Sequence, residues 1–493
     1  MLRCAYLVAL AVMAACRIPD ATFNAPSDTG AADTGAAAIQ PVVSKNGSRI
    51  KVRSISAADG FRSPQDGWFD SQLQARCTWA ETSDGTRCVP DTVRGDASYL
   101  DASCQQPVVV YRNGPGSDPC AAPPSFFGVY DTVTCAASGA TTSTLAHLYA
   151  LGQPTTPAQI YLKSGTVCMA APLSNAVVYP VGGELPLSTF VKATASMETG
   201  TGRFAHTLLT GDDGSVAVTG VYDTELGTSC ALQLSGDHAV CAPNYQEFPS
   251  SEYSDAQCQS GVASATCPSE QFITTRDATC QRNLHVNALA AEVPATTLYL
   301  GNATTCAATT PRPGFRVQSI GAEVPVATLD RSFPTATRLV AATASAGGFA
   351  GSVSTIHDTA LDIDCLPIYR GLDGVRRCMQ PEVFVATLYS DPQCTSPLPA
   401  VLVPDSTCPA NLPRFAYEYT MAPNTNTCVE GGPYYLLRVY SITSTTPIAI
   451  RMFLPGDAGC TAYDPSAYHV VAYSHGDEVP PTQFAEVEIT VAP

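Results

Sequence analysis

Positive charge is scarce in this chain of 493 residues: Lys and Arg number 26 against 43 Asp and Glu, and the net charge is −17. An acidic, Lys-poor chain repels phosphate backbones, which argues against nucleic acid as a partner. Histidine is rare, at seven, and neither His-Glu-x-x-His nor a Gly-x-Ser-x-Gly elbow occurs, so no zincin or α/β-hydrolase is signalled. Asp-x-Asp-x-Asp-Gly, the spacing of a calcium loop, is also missing, and GDDG at 211–214 reads only as a turn. With 36 Gly and 39 Pro, no segment keeps an uninterrupted helical period. After the first fifteen residues no apolar run approaches the length of a spanning helix.

What is present begins with MLRCAYLVALAVMAA, where Arg3 precedes an apolar run too short to span a bilayer; residues 1–15 read as an export signal. The run ends in Met13-Ala14-Ala15-Cys16, which resembles the lipobox of bacterial lipoproteins and predicts lipidation of Cys16, Met13 standing where Leu is usual. The competing reading is cleavage after an Ala-x-Ala-like site, leaving a free extracellular protein. Residues 16–43, with SDTGAADTGAAA, are too poor in large apolar side chains to offset their ordering entropy and read as a tether.

Twenty cysteines are the strongest signal, and 18 of them fall into three sets of six, at 77 to 168, 230 to 306 and 365 to 460. Each set lies in a stretch with matching landmarks: 44–197, 198–333 and 334–493. Asp-Ser/Thr-x-Leu-x-x-x-Cys opens each set, as in DSQLQARC, DTELGTSC and DTALDIDC. Tyr-x-Asp-x-x-Cys precedes the third cysteine of the first set's YLDASC, and likewise YSDAQC and YSDPQC. Each stretch carries a closing Gly-x-Glu-Leu/Val-Pro, in GGELP, GAEVP and GDEVP. Ordered landmarks recurring three times predict three homologous six-Cys repeats. An even count per unit predicts disulfides and an exported chain. The first two cysteines of each set flank a Gly-containing turn, so Cys77–Cys88, Cys230–Cys241 and Cys365–Cys378 are expected as hairpin bridges; the other pairings stay open.

Between turns the chain alternates as strands do. In RIKVR (49–53), Ile50 and Val52 face one way and the charged residues the other, and PVVVYR and IAIRMF are rich in strand formers. The expected class is all-β, either a β-propeller with about two four-stranded blades per repeat or three consecutive β-sandwich domains. A second Ala-Glu-Val-Pro, at 291–294, hints at a smaller module inside the second unit.

Candidate chemistry is thin. His469 and His475, followed by Asp477 and Glu478, form the best metal grouping, weighed against chance spacing on a strand; no metal or other cofactor is expected. Asp70, Asp223 and Asp358, like Asp101, Asp255 and Asp391, read as turn-bonding carboxylates rather than as a calcium or catalytic ring. Glu184, Glu323 and Glu478 read as edge or turn residues of the closing strand. Trp68, Trp79, Tyr434 and Tyr435 read first as packing residues, with a sugar-binding use as the rival.

The landmarks together, from about residue 44 to the end, resemble the Cys-rich, repeat-containing exported proteins of unknown function of myxobacterial-type genomes. The resemblance implies an exported bacterial lipoprotein and carries over no active-site residue. The function expected is a cell-envelope binding or scaffold module, anchored to the membrane through Cys16, with a glycan or protein ligand and multivalent contact if each unit presents a site. The rival is a secreted hydrolase-like enzyme with its site in a propeller channel.

Overall fold

A computed structural model describes residues 42–491 apart from internal segments, the longest being 113–124, 244–251 and 422–434. The described residues form 39 strands and three short 3-10 helices, and no helix among them is long and apolar enough to cross a membrane. The protein is all-β.

One circuit of strands runs through the whole chain. In the first stretch Ile50–Ser56, Trp68–Asp70, Ala75–Thr82 and Gly85–Pro90 pair in succession, and Lys192–Met197 then joins the last of them and leads to Phe204–Gly211. The second stretch repeats the order with Phe204–Gly211, Val216–Asp223, Thr228–Ser235, His238–Pro243 and Thr328–Ser332. In the third, Leu339–Ala346, Phe349–Asp358, Ile363–Gly371 and Arg376–Met379 follow, and Arg377 bridges to Glu486. Glu488–Val491 then pairs with Arg53 to Ser56, which closes the circuit.

That closure explains a departure from simple alternation. Ile50 and Val52 are buried, but so is Arg53, at 1% exposure. The strand changes partner there, from Trp68–Asp70 to Glu488–Val491, and both of its faces are covered.

Each junction of the circuit has its own apolar cluster. Ile50, Trp68, Cys77 and Cys88 meet Ala217 of the second stretch. Phe204, Val221, Cys230 and Cys241 meet Phe349 of the third, and Leu339, Ile356, Cys365 and Cys378 meet Ile55 and Phe61 of the first. Burying such residues contributes roughly 1.5–3 kcal/mol per large side chain. The disulfides Cys77–Cys88, Cys230–Cys241 and Cys365–Cys378 lie inside these clusters, with Cα atoms 5.3, 5.2 and 5.2 Å apart. In the first two hairpins the bridged residues sit diagonally across the ladder: Cys77 is opposite Pro90, and Cys88 is opposite Trp79.

Carboxylates lock the circuit at its turns. The 211–214 turn does more than reverse the chain: Asp213 accepts hydrogen bonds from the Arg49 and Ile50 amides, at 3.0 and 2.6 Å. Asp59 accepts from the Arg338 amide in the same way, at 2.7 Å.

From each stretch of the circuit a module of further strands projects. In the first the pairing order is Val167–Pro172, Gln159–Ser164, Ser98–Tyr99, Pro107–Arg112, Ala176–Glu184, Leu145–Leu151 and Phe126–Tyr130. The second and third modules follow the same order, from Cys306–Thr309 to Phe272–Arg276 and from Gly459–Tyr463 to Phe415–Met421. Cys104–Cys168, Cys258–Cys306 and Cys394–Cys460 staple the modules. Cys104, Cys258 and Cys394 all adopt positive φ, near 51–54°, inside the loop that each Asp of Tyr-x-Asp bonds across.

Candidate functional site

Where the first and second stretches meet, six successive strands, from Ala75–Thr82 round to Thr228–Ser235, curve about an open groove of about 770 Å³. Its size is within the range of small-ligand sites. Consecutive residues of several strands supply the lining: Trp79, Ala80 and Glu81 from one, and Ala195, Ser196 and Met197 from another. Leu208, Thr219, Tyr222 and Ser229 complete the floor, and the first module adds Tyr130 and Ser143.

Trp79 is held edge-on against buried Trp68, with ring centroids 5.9 Å apart and planes at 69°. Its indole Nε1–H is shielded and has no hydrogen-bond partner among the described residues. Glu81 accepts a 2.6 Å bond from Thr86, directly opposite it in the ladder, and its side chain is exposed. Tyr130 Oη lies 3.0 Å from Thr92 Oγ1, which fixes that ring.

The groove lining brings together aromatic side chains, hydroxyl groups and one carboxylate. Its described lining holds no His, Cys, Lys or Arg. No serine in it has a general base beside it, and a lone carboxylate lacks the partner that glycoside hydrolysis uses.

The corresponding position between the second and third stretches is built differently. Register identifies it: Tyr222 pairs with Ser229, and His357 pairs with Asp364 one circuit step later. Ala195 lies three residues beyond the partner of Arg87, and Arg331 three residues beyond the partner of Val240, the residues just before Cys88 and Cys241. There Arg331 donates to both oxygens of buried Asp364, at 3.1 and 3.0 Å, and His357 Nδ1 lies 2.9 Å from the same carboxylate. Phe333 stacks on His357 at 4.6 Å, and the Arg331 guanidinium sits 4.3 Å above the Phe333 ring. Leu232 and Leu234, both buried, take the places of Trp79 and Glu81.

The sequence candidates are placed as follows. Asp70, Asp223 and Asp358 are almost fully buried, and each accepts the amides two and three residues ahead. Each is also paired in fork geometry with an arginine that sequence reasoning missed, namely Arg49, Arg203 and Arg338. The signal was available, since each arginine stands 20 or 21 residues before its aspartate. Asp101, Asp255 and Asp391 bind the backbone amides of their own loops, and their carboxyls lie below the usual range: the Ser103 hydroxyl leads for Asp101, the Ser260 amide for Asp255, and at Asp391 desolvation pulls upward but is outweighed by the Ser396 amide and the other loop bonds. Glu184 and Glu323 reach histidines on the neighbouring strand, His147 at 2.7 Å and His285 at 2.8 Å.

His469 and Tyr434 lie outside the described residues, as do Cys16 and the leader. His475 Nδ1 is 2.9 Å from the Gly476 carbonyl and its ring packs on Tyr440, while Asp477 and Glu478 are exposed. Among the described residues no three His, Cys, Asp or Glu side chains gather as a metal site.

The chain belongs to a family of unknown function (DUF7481), which matches residues 29–457 and so runs through all three stretches. No curated protein and no solved structure matches it. Six disulfides among the described residues fit an exported or extracellular protein.

Proposed function

We propose that this member of a family of unknown function is an exported cell-envelope binding protein, and that the groove between its first two stretches holds a glycan. The observation that carries the reading is the placement of Trp79 among hydroxyl-bearing residues and Glu81 along the groove lining. A sugar ring presents a C–H face that packs on an aromatic plane and a rim of hydroxyls that both donate and accept. The groove supplies a partner for each.

On this reading each homologous unit is a circuit segment plus a stapled module. Lipidation at Cys16, followed by the 17–43 tether, would hold that body at the membrane. The enzyme alternative lacks a second carboxylate in the groove and is the weaker reading.

Affinity electrophoresis of the disulfide-intact protein against a panel of soluble polysaccharides tests the site. Retardation by at least one, lost in Trp79→Ala, is expected; unchanged retardation in the variant places binding elsewhere. Labelling of expressing cells with an alkynyl fatty acid tests the anchor. Label that persists in Cys16→Ala would discard it.

A further inference from the structure

Resting on the reading of the groove as a glycan site, we infer that the protein binds one neutral saccharide chain, although the fold provides three equivalent positions. Repetition alone would lead to three sites. The side chains at the second position rule this out. Where the groove has Ala195, the second position has Arg331, and where it has Met197, it has Phe333. Arg331, Asp364 and His357 bond to one another, and Phe333 lies across them. That space is filled, and its polar atoms are committed to each other.

The third position, closed by the C-terminal strand on the first, carries a different set. Phe69 and Arg76 pair where Tyr222 and Ser229 do, and Ile489 stands in register with Ala195. Ile489 packs into the apolar cluster of that junction, and Arg76 lies 3.5 Å from Asp91. The Trp, hydroxyl and carboxylate set therefore occurs once.

Neutrality follows from charge. Among the described residues lining the groove Glu81 is the one charged group, and the whole chain carries −17. A uronate or sulfated chain would meet a carboxylate without a cation to offset it, and like charges brought together on binding are disfavoured. A neutral chain lets Glu81 accept from sugar hydroxyls.

The experiment is isothermal titration of the disulfide-intact protein with neutral hexasaccharides of glucose and of N-acetylglucosamine, and with a sulfated and a uronate hexasaccharide for comparison. The inference expects one site per chain for a neutral ligand, and affinity at least about tenfold weaker for the acidic ones. Ala195→Arg, which copies the second position into the groove, should abolish that binding. Ser229→Asp should weaken it, and near-ultraviolet circular dichroism checks that both variants are folded. Three sites per chain, tighter binding of an acidic chain, or undiminished binding by folded Ala195→Arg overturns the inference and leaves a glycan site standing. No heat with any saccharide overturns the glycan reading itself.

Discussion

Two junctions of one circuit, built on the same strand register, differ in what their side chains do with the space between them. Between the first and second stretches the sheet curves round a groove floored by Ala195, Tyr222 and Ser229. Between the second and third the same positions hold Arg331, His357 and Asp364, bonded together and capped by Phe333. The backbone pairings and the neighbouring disulfides are alike in both. Positions that recur therefore report architecture, and positions that depart from the pattern report use.

The sharpest way to break this comparison is to remove the carboxylate at the filled junction. Asp364→Ala leaves Arg331 buried without its counter-ion, and loss of one member of a buried pair costs about 3–5 kcal/mol. Urea unfolding followed by tryptophan fluorescence measures it. A loss as small as that of a surface substitution would mean that the cluster does not organise the junction.

The shared framework should respond equally on both sides. Replacing Cys77 and Cys88 by Ala, or Cys230 and Cys241, removes a bridge closing an 11-residue separation in either case. Each double variant should lose about 2–4 kcal/mol, and the two values should agree closely. Markedly unequal losses would show that the junctions differ in their framework as well as in their lining.

Acid separates the stretches more gently. Arg87 beside Asp84 holds that carboxyl far below its ordinary 3.8, and Arg377 beside Asp373 acts likewise in the third stretch. Burial pulls Asp213 upward, but the amides of Ile50, Ser215 and Arg49 outweigh it and the net shift is down. A carboxylate whose folded pKa is depressed stabilises the fold above its unfolded value and loses that contribution as pH falls through the folded one. Stability should therefore be level above about pH 5 and decline below about pH 4. Asp213→Asn should flatten part of that decline, read as the melting temperature below about pH 4. The hairpin of the second stretch has Val240 where the others have Arg87 and Arg377, so that hairpin should add the least to the slope.

Much of this organisation was legible in the chain, for reasons tied to particular residues. All-β class followed from alternation in segments such as RIKVR, and the turn role of Asp70 from its place before Ser at a strand end. Arg49 went unrecognised because its partner lies across a strand and a loop, 21 residues away, and charge pairing has no local period. Closure of the circuit was invisible for the same reason at larger scale: Arg53 and Val491 pair across almost the whole chain, and nothing in either segment names the other. Trp79 could be singled out by residue type alone. Its groove could not, since Ala195, Tyr222 and Ser229 meet it only through ladders that span the second half of the first stretch.

The smallest effect is also the most telling about use. Ser229→Ala removes a hydroxyl from the groove lining, at a residue that belongs to none of the apolar clusters. Its cost in stability should stay within about 0.5 kcal/mol, the range for substitutions away from packed or paired groups. Paired with Asp364→Ala, its counterpart in register, it isolates what the two junctions do with one position. If the groove binds a glycan, Ser229→Ala should weaken that binding by about fivefold to tenfold, the equivalent of one lost hydrogen bond. An unfolding curve shifted as far as that of Asp364→Ala would make Ser229 a structural residue and would close the case for an open site there.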